Sequence, residues 1–120
     1  MKTILSALLA ALLLVACGRA QDMPITEFSA NSMEKGALLV DVRTPEEFGQ
    51  GHLEGALNID WFSPEFASRW EQIDKDRPVY LYCKVGGRSG QAAEKLQSMG
   101  FRHVVNLTGG YDAYLEARKQ

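Results

Sequence analysis

The chain has 120 residues, 46% of them hydrophobic, and a formal net charge of −2 at pH 7. Such a length is enough for one domain built around one hydrophobic core. The nearly balanced charge and the lack of a broad basic patch exclude a typical nucleic-acid-binding protein. The sequence contains neither an internal repeat nor a low-complexity segment.

Residues 1–16 have the pattern of a secretory signal peptide. Lys2 precedes an apolar run, Ile4 to Ala16, that is short for a membrane span and ends in small residues. The run has no polar face, which disfavours a buried helix of the folded domain. The sequence therefore predicts an exported protein.

Two processing sites fit the end of this run. Residues 14–17, Leu-Val-Ala-Cys, resemble the lipobox of bacterial lipoproteins, whose cysteine, here Cys17, is lipidated and becomes the mature N-terminus. The alternative is ordinary cleavage after Ala20, which would release a soluble protein. We favour lipidation because the cysteine falls where the apolar region ends.

On that interpretation, residues 17–24 comprise the lipidated cysteine and a short tether, and residues 25–120 form the domain. The protein is then expected to face the periplasm as a membrane-anchored lipoprotein, with Gly18 favouring the outer membrane. Cys83 is the only cysteine left inside the domain, so we expect no internal disulfide. An unpaired thiol in an oxidising compartment points to a functional role.

Beyond the tether, short apolar runs alternate with helical patterns. Ile25 is expected to open a short strand, and further strands are expected at residues 37–42, 56–59, 79–82 and 103–107. Helices are expected at residues 29–35, from 45 to about 50, 63–72, 91–98 and 111–118. This alternation predicts a single α/β domain with a mainly parallel central sheet and helices on both faces.

Two of these helices start with a cap followed by proline. Thr44 is the expected N-cap of the first, with Pro45 at the first helical position and Glu47 closing a capping box. Ser63 and Pro64 repeat the signal before the second helix.

The main candidate site is the cysteine loop, residues 83–89, with the sequence Cys-Lys-Val-Gly-Gly-Arg-Ser. A strand ends just before Cys83, the glycines permit a tight turn, and a helix is expected to begin near Ser89. Backbone N–H groups and the helix dipole would then point at the sulfur and favour the thiolate. Lys84 and Arg88 add positive charge for an anionic substrate. An inert buried thiol is the alternative, and the setting between strand and glycine loop favours a nucleophile.

The remaining charged candidates have supporting roles. Asp41, at a strand end, is expected at the floor of the site, and Arg43 can pair with Glu47 to fix the loop after the strand. Arg88 can bind the substrate anion or satisfy loop carbonyls. His52 is expected to hydrogen-bond a turn. With His103 expected at the surface, the histidines have no partners at metal-binding spacing, so we expect no metal site.

Three motifs, in this order, resemble those of the rhodanese family. Residues 41–59 resemble its N-terminal signature, with Asp-Val-Arg followed by Gly-His-Leu-Glu-Gly-Ala-Leu-Asn-Ile. The cysteine loop resembles the Cys-x-x-Gly-x-Arg-Ser active loop, and residues 109–111 resemble the closing Gly-Gly motif, with Tyr114 where many members have tryptophan. Residues 82–105 are especially similar to the periplasmic phage-shock rhodanese.

The resemblance implies a monomeric thiosulfate sulfurtransferase that needs no cofactor. The Cys83 thiolate would attack the outer sulfur of thiosulfate, expel sulfite and carry a persulfide, which cyanide or a thiol would then accept. Asp41 and Arg43 would act around the site as supporting residues. The residues expected to cradle the persulfide are Lys84, Val85, Gly86, Gly87, Arg88 and Ser89.

Other chemistries occur on related loops. The related phosphatases and arsenate reductases use a loop one residue longer, which suits a tetrahedral oxyanion, so the shorter loop here favours sulfur. The resemblance leaves open a persulfide carrier or redox partner that serves a protein acceptor. A catalytically inactive scaffold is disfavoured because Cys83 is present.

Overall fold

The structure, a computed structural model, describes residues 20–119. The predicted signal peptide, the candidate lipidation site Cys17 and the start of the tether lie outside the described residues. Between residues 20 and 119, no helix has the length and apolar character that a membrane span requires.

Residues 20–119 form one five-stranded sheet flanked by helices. The strands are β1 (Gln21–Pro24), β2 (Leu38–Asp41), β3 (Leu57–Asn58), β4 (Val79–Tyr82) and β5 (Val104–Thr108). The helices are α1 (Pro45–Gln50), α2 (Phe66–Glu71), α3 (Gly87–Ser98) and α4 (Gly110–Ala117). The sheet order is β1-β5-β4-β2-β3 and every pairing is parallel, which confirms the predicted α/β fold.

The sheet has a hydrophobic core on each face. In β4, Val79 and Leu81 pack into the core that contains Trp70 of α2 and residues of α3. Tyr80 and Tyr82 point to the other face, whose core also contains partly buried residues of α1 and α4. Because side chains alternate along a strand, a strand buried on both sides reads as a continuous apolar run.

The carboxyl ends of β2 and β4 lie side by side. Their register pairs Asp41 with Tyr82, so Cys83 leaves β4 next to the segment that follows β2. Val42 continues this contact, since its N–H donates to the carbonyl of Tyr82 at 3.0 Å. The fold thereby brings the first two motifs to one edge of the sheet.

The first strand lies earlier than the sequence predicts. Strand β1 occupies residues 21–24, which were assigned to the tether, and Ile25 instead begins a 3-10 turn. Strand β1 is an edge strand with mostly exposed side chains, so no hydrophobic pattern marks it; its parallel pairing with β5 defines it. The folded domain therefore includes these residues.

Two predicted helices are shorter than expected, and one is confirmed. The helix expected at residues 29–35 is only a 3-10 turn, Ala30–Ser32. Ser63 caps a turn, accepting a hydrogen bond from the Glu65 N–H at 3.1 Å, so α2 begins at Phe66. Helix α1 begins at Pro45 with the predicted capping box between Thr44 and Glu47.

Candidate active site

The sulfur of Cys83 lies in a ring of hydrogen-bond donors. The Gly86 N–H donates to Sγ at 3.0 Å, and the Ser89 hydroxyl donates to it at 3.4 Å. Gly86 has φ 123°, which a residue with a side chain rarely adopts, so this glycine permits the turn that aims its N–H at the sulfur. Helix α3 begins one residue later, at Gly87, two residues earlier than predicted.

These donors outweigh the effect of burial on the thiol. Cys83 is 1% exposed, and burial alone raises the pKa of its thiol. Hydrogen bonds from the Ser89 hydroxyl and from the N–H groups of Ser89, Gly86 and Val85 favour the thiolate, and the pKa is lowered below its usual value. The site therefore favours the thiolate form of a buried cysteine.

The start of α4 supports the cysteine loop from behind. The Tyr111 N–H donates to the Cys83 carbonyl at 2.8 Å, and the Asp112 N–H donates to the Lys84 carbonyl at 3.0 Å. Gly110 has φ 67°, and a Cβ on it would lie 2.7 Å from the Cys83 carbonyl oxygen. The sequence identified residues 109–111 only through their resemblance to the closing Gly-Gly motif; the structure shows that Gly110 and Tyr111 hold the loop in place.

Asp41 and Arg43 form a buried ion pair below the loop. Arg43 Nη2 lies 2.7 Å from Asp41 Oδ2, and the same nitrogen donates to the Gly51 carbonyl at 2.7 Å. The guanidinium also lies 4.5 Å from the ring centre of Tyr111. The predicted pairing of Arg43 with Glu47 is therefore wrong, whereas Asp41 does lie buried at the strand end.

Glu47 pairs with Arg88 instead. Arg88 Nη1 and Nη2 donate to the two carboxylate oxygens of Glu47 at 2.6 and 2.9 Å. The Arg88 hydrogen bonds lower the pKa of Glu47 to about 2, against the opposing effect of burial. The Arg88 guanidinium therefore bonds to a residue of α1. It was expected to bond to carbonyl groups of the cysteine loop if its role was structural. Glu47 is thus a site residue that the sequence predicted only in a helix cap and as a partner of Arg43.

The other loop cation, Lys84, lies at the surface. Its Nζ is 2.5 Å from Asp112 Oδ2, and both side chains are about half exposed. Val85, at the tip of the loop, is also exposed. Of the predicted cradle residues, Val85, Gly86 and Ser89 donate hydrogen bonds to the Cys83 sulfur. The cations Lys84 and Arg88 are each paired with a carboxylate.

The remaining polar groups near the site have structural contacts. The Tyr82 hydroxyl accepts a hydrogen bond from the Leu53 N–H at 2.9 Å, and burial raises the pKa of this tyrosine. His52 Nδ1 lies 2.9 Å from the Phe48 carbonyl, as expected for a histidine that bonds a turn. His103 is exposed. Among residues 20–119, no three His, Cys, Asp or Glu side chains form a group that could hold a metal ion.

Comparison with known proteins gives matches over most of this domain. The rhodanese-like domain family matches residues 25–117. Bacillus subtilis YqhL is 41% identical over 87 residues, which span 72% of this chain and 68% of that protein. The thiosulfate sulfurtransferase PspE of Escherichia coli is 41% identical over 70 residues, spanning 58% of this chain and 67% of PspE. A rhodanese-like domain protein from Staphylococcus aureus superposes with a TM-score of 0.68 at 27% identity, covering 78% and 90% of the two chains.

The family match contains all three motifs identified in the sequence. The superposition with the solved structure of the staphylococcal domain supports the same fold. The resemblance stated from the motifs is thereby confirmed, and the chain belongs to the rhodanese-like domain family.

Proposed function

We propose that this protein is a sulfurtransferase that moves the sulfane sulfur of thiosulfate, or of a similar anionic donor, to a thiophilic acceptor. One observation carries the proposal: the buried Cys83 sulfur receives hydrogen bonds from the Gly86 N–H and the Ser89 hydroxyl. The sulfurtransferase name of the relative PspE supports the same reaction class.

The reaction has two steps. The Cys83 thiolate attacks the outer sulfur of thiosulfate; a new S–S bond forms, the S–S bond of thiosulfate breaks, and sulfite leaves with its electron pair. The acceptor then attacks the terminal sulfur of the persulfide, and the Cys83 thiolate is released. The N–H groups around the loop stabilise negative charge on sulfur in both states, so an ionised Cys83 needs no general base.

A direct assay tests this function. Purified protein is mixed with thiosulfate and cyanide, and thiocyanate is measured, with a phosphate ester tested in parallel. We expect thiocyanate formation, no phosphate release, and one added sulfur atom on Cys83 by mass spectrometry. Cys83→Ser is expected to abolish turnover, while Ser98→Ala, an exposed change at the far end of α3, retains it. Turnover by the Cys83→Ser variant would refute the proposal.

A protein acceptor is the second candidate function. Val85 and Phe62 are large apolar side chains with 63% and 66% exposure. Phe62 lies beside the cysteine loop, with its ring centre 5.7 Å from the Arg88 guanidinium carbon. Exposed apolar groups next to a reactive atom favour contact with a partner surface. This observation supports a persulfide carrier that delivers sulfur to a protein thiol.

An experiment with protein acceptors distinguishes this second function from transfer to small molecules. Persulfide-loaded protein is mixed with reduced proteins of a cell extract, and those that gain sulfur are identified by mass spectrometry. We expect Phe62→Ser to reduce this labelling and to leave transfer to cyanide largely intact. Equal labelling of acceptor proteins by the wild type and by Phe62→Ser would argue that the acceptors are small molecules alone.

We also propose that the protein is a lipoprotein anchored through Cys17 and facing the periplasm. The proposal is supported by the apolar segment that ends at residues 14–17, Leu-Val-Ala-Cys. Mass spectrometry of the mature protein is expected to find an acylated Cys17 at its N-terminus, and membrane fractionation is expected to favour the outer membrane. An unmodified N-terminus at Gln21 would instead establish cleavage after Ala20.

A further inference from the structure

The charged groups around the cysteine loop cancel one another. Three cations, Arg43, Lys84 and Arg88, are each in contact with one carboxylate. The three pairs sum to a formal charge of zero, so the hydrogen-bond donors around the sulfur, the backbone N–H groups and the Ser89 hydroxyl, are what oppose the charge of the thiolate. A dianionic donor entering this site would place two further negative charges beside Cys83. Binding of such a donor is therefore strengthened by any cation that can separate from its carboxylate partner.

The three ion pairs differ in how easily they open. The Arg43–Asp41 pair is buried, and opening it would leave a carboxylate without solvent. The Arg88–Glu47 pair has two hydrogen bonds and is mostly shielded from solvent. Lys84 and Asp112 share one contact and are 55% and 47% exposed, so water can solvate both ends when they separate. Exposed pairs of this kind contribute little to stability.

Lys84, which follows Cys83 directly in the chain, and Asp112 also lie on the same side of the cysteine loop. Both line a cavity of about 230 Å³ beside the cysteine loop, together with Arg43, Glu47 and Tyr111. Their backbones are joined as well, because the Asp112 N–H donates to the Lys84 carbonyl. Asp112 therefore stays next to Lys84 through the main chain whether or not the side chains are in contact.

We propose that Asp112 sets the affinity for dianionic sulfur donors by holding the Lys84 ammonium group away from them. It is a positioning residue that acts through Lys84, and the inference rests on the proposed sulfur-transfer function. When a dianion binds, the ammonium group exchanges the carboxylate of Asp112 for the donor. Asp112 thus weakens donor binding and leaves the chemistry at Cys83 unaffected.

Steady-state kinetics of the full chain test this role. Asp112→Asn is expected to lower the KM for thiosulfate about two- to fivefold, the range of an exposed ion pair, and to leave kcat unchanged. Lys84→Met is expected to raise KM by a similar factor. In the Lys84→Met background, Asp112→Asn is expected to change KM little, because its partner is gone. If Asp112→Asn still lowered KM in the Lys84→Met background, Asp112 would repel the donor directly and the proposal would be overturned.

A matched variant controls for net charge. Asp76→Asn removes one carboxylate from another exposed ion pair, with Arg102 at 3.1 Å. Asp76 precedes β4, at the end of the sheet opposite Cys83, so this change is expected to leave KM unaltered. A KM decrease equal to that of Asp112→Asn would attribute the effect to overall charge and contradict the proposal.

Binding of sulfate provides a readout that needs no turnover. Sulfate is a dianion with no transferable sulfur, and its binding is measured as protection of Cys83 from iodoacetamide. Asp112→Asn is expected to lower the sulfate concentration for half protection about two- to fivefold. If the wild-type protein fails to use thiosulfate, the proposed function fails, while this measurement still decides the role of Asp112. An unchanged half-protection concentration would refute that role.

Discussion

Cys83 combines two properties that usually oppose each other, burial and a lowered thiol pKa. The thiolate remains stable without solvent because N–H and O–H dipoles replace water around the sulfur. Burial also restricts the access of a donor to the sulfur. Reactivity at this residue therefore depends on the hydrogen bonds from Gly86 and Ser89.

The Ser89 hydroxyl is expected to affect the pH dependence of Cys83 alkylation. A lowered pKa means that the thiolate persists to lower pH than in an unperturbed cysteine, whose pKa is about 8.5. The rate of reaction with iodoacetamide should therefore have its midpoint below that value. Ser89→Ala removes one donor to Sγ and is expected to move the midpoint upward. Ser98→Ala, whose hydroxyl bonds the Lys95 carbonyl, serves as the control, and identical midpoints for all three proteins would contradict this account.

The Glu47–Arg88 pair is expected to give a pH-dependent contribution to stability. The folded-state pKa of Glu47, about 2, is below the ordinary value of 4.5, so the unfolded state binds more protons than the folded state between these two pH values. The stabilisation is complete above about pH 4.5 and is lost as the pH falls towards 2. Glu47→Gln is expected to lower the free energy of unfolding by about 1–3 kcal/mol at pH 7.

Urea denaturation at pH 7 and pH 3 measures this effect. The difference between wild type and Glu47→Gln should shrink at the lower pH, because at pH 3 the Glu47 carboxylate is mostly protonated in the unfolded state and still mostly ionised in the folded state. Glu116→Gln, in an exposed pair with Lys119, is expected to change stability by less than about 0.5 kcal/mol. A difference that is the same at both pH values would exclude the ion pair as its cause.

The sequence indicated which residues lie near the thiol, but it did not predict which ion pairs Arg43 and Glu47 form. Arg43 and Glu47 are four positions apart, a spacing that favours pairing within a helix. Arg43 lies before α1, however, and its hydrogen bonds go to Asp41 and Gly51. Glu47 reaches Arg88 across 41 positions of sequence, and that approach depends on how β2 and β4 are aligned. Pairings of this kind follow from the tertiary structure and have no local signal.

Among the elements outside the loop itself, helix α4 contacts the backbone of the cysteine loop directly. Its first residues donate backbone hydrogen bonds to Cys83 and Lys84, so the loop conformation depends on the close approach of Gly110. The sequence identified the two glycines only as part of the closing motif. Only the structure reveals that the small size of Gly110 permits the contact between its backbone and that of the cysteine loop.

Gly110→Ala is expected to destabilise the protein and to slow sulfur transfer. The new Cβ would lie 2.7 Å from the Cys83 carbonyl oxygen, and the positive φ adds backbone strain. We expect a loss of about 2–4 kcal/mol in the free energy of unfolding, together with a lower kcat. Urea denaturation and the thiocyanate assay measure the two effects.

Gly49→Ala provides the matched control. Gly49 lies inside α1, and a Cβ on it would meet nothing within 4 Å, so the substitution is expected to be neutral or stabilising by up to about 1 kcal/mol. If both alanine variants behaved alike, the proposed support of the loop by α4 would be wrong.

At the scale of the whole molecule, the sheet order explains which elements the sequence could reveal. Strands β2 and β4 are buried along their full length, and their apolar runs were identified directly. Strand β1 is an edge strand with little hydrophobic pattern, and the family match also begins only at residue 25. Its place in the sheet comes from backbone pairing with β5, a contact between segments far apart in sequence.

Removal of β1 is therefore expected to weaken the whole domain. A chain that begins at Ile25 lacks the strand that pairs with residues 105–108, and the edge of β5 becomes open to other molecules. Compared with a chain that begins at Ala20, we expect the free energy of unfolding to fall by about 2–4 kcal/mol, since several backbone hydrogen bonds are lost. We also expect concentration-dependent association, measured by light scattering. Equal stability and equal scattering of the two chains would mean that the domain boundary lies at residue 25, as the sequence alone indicated.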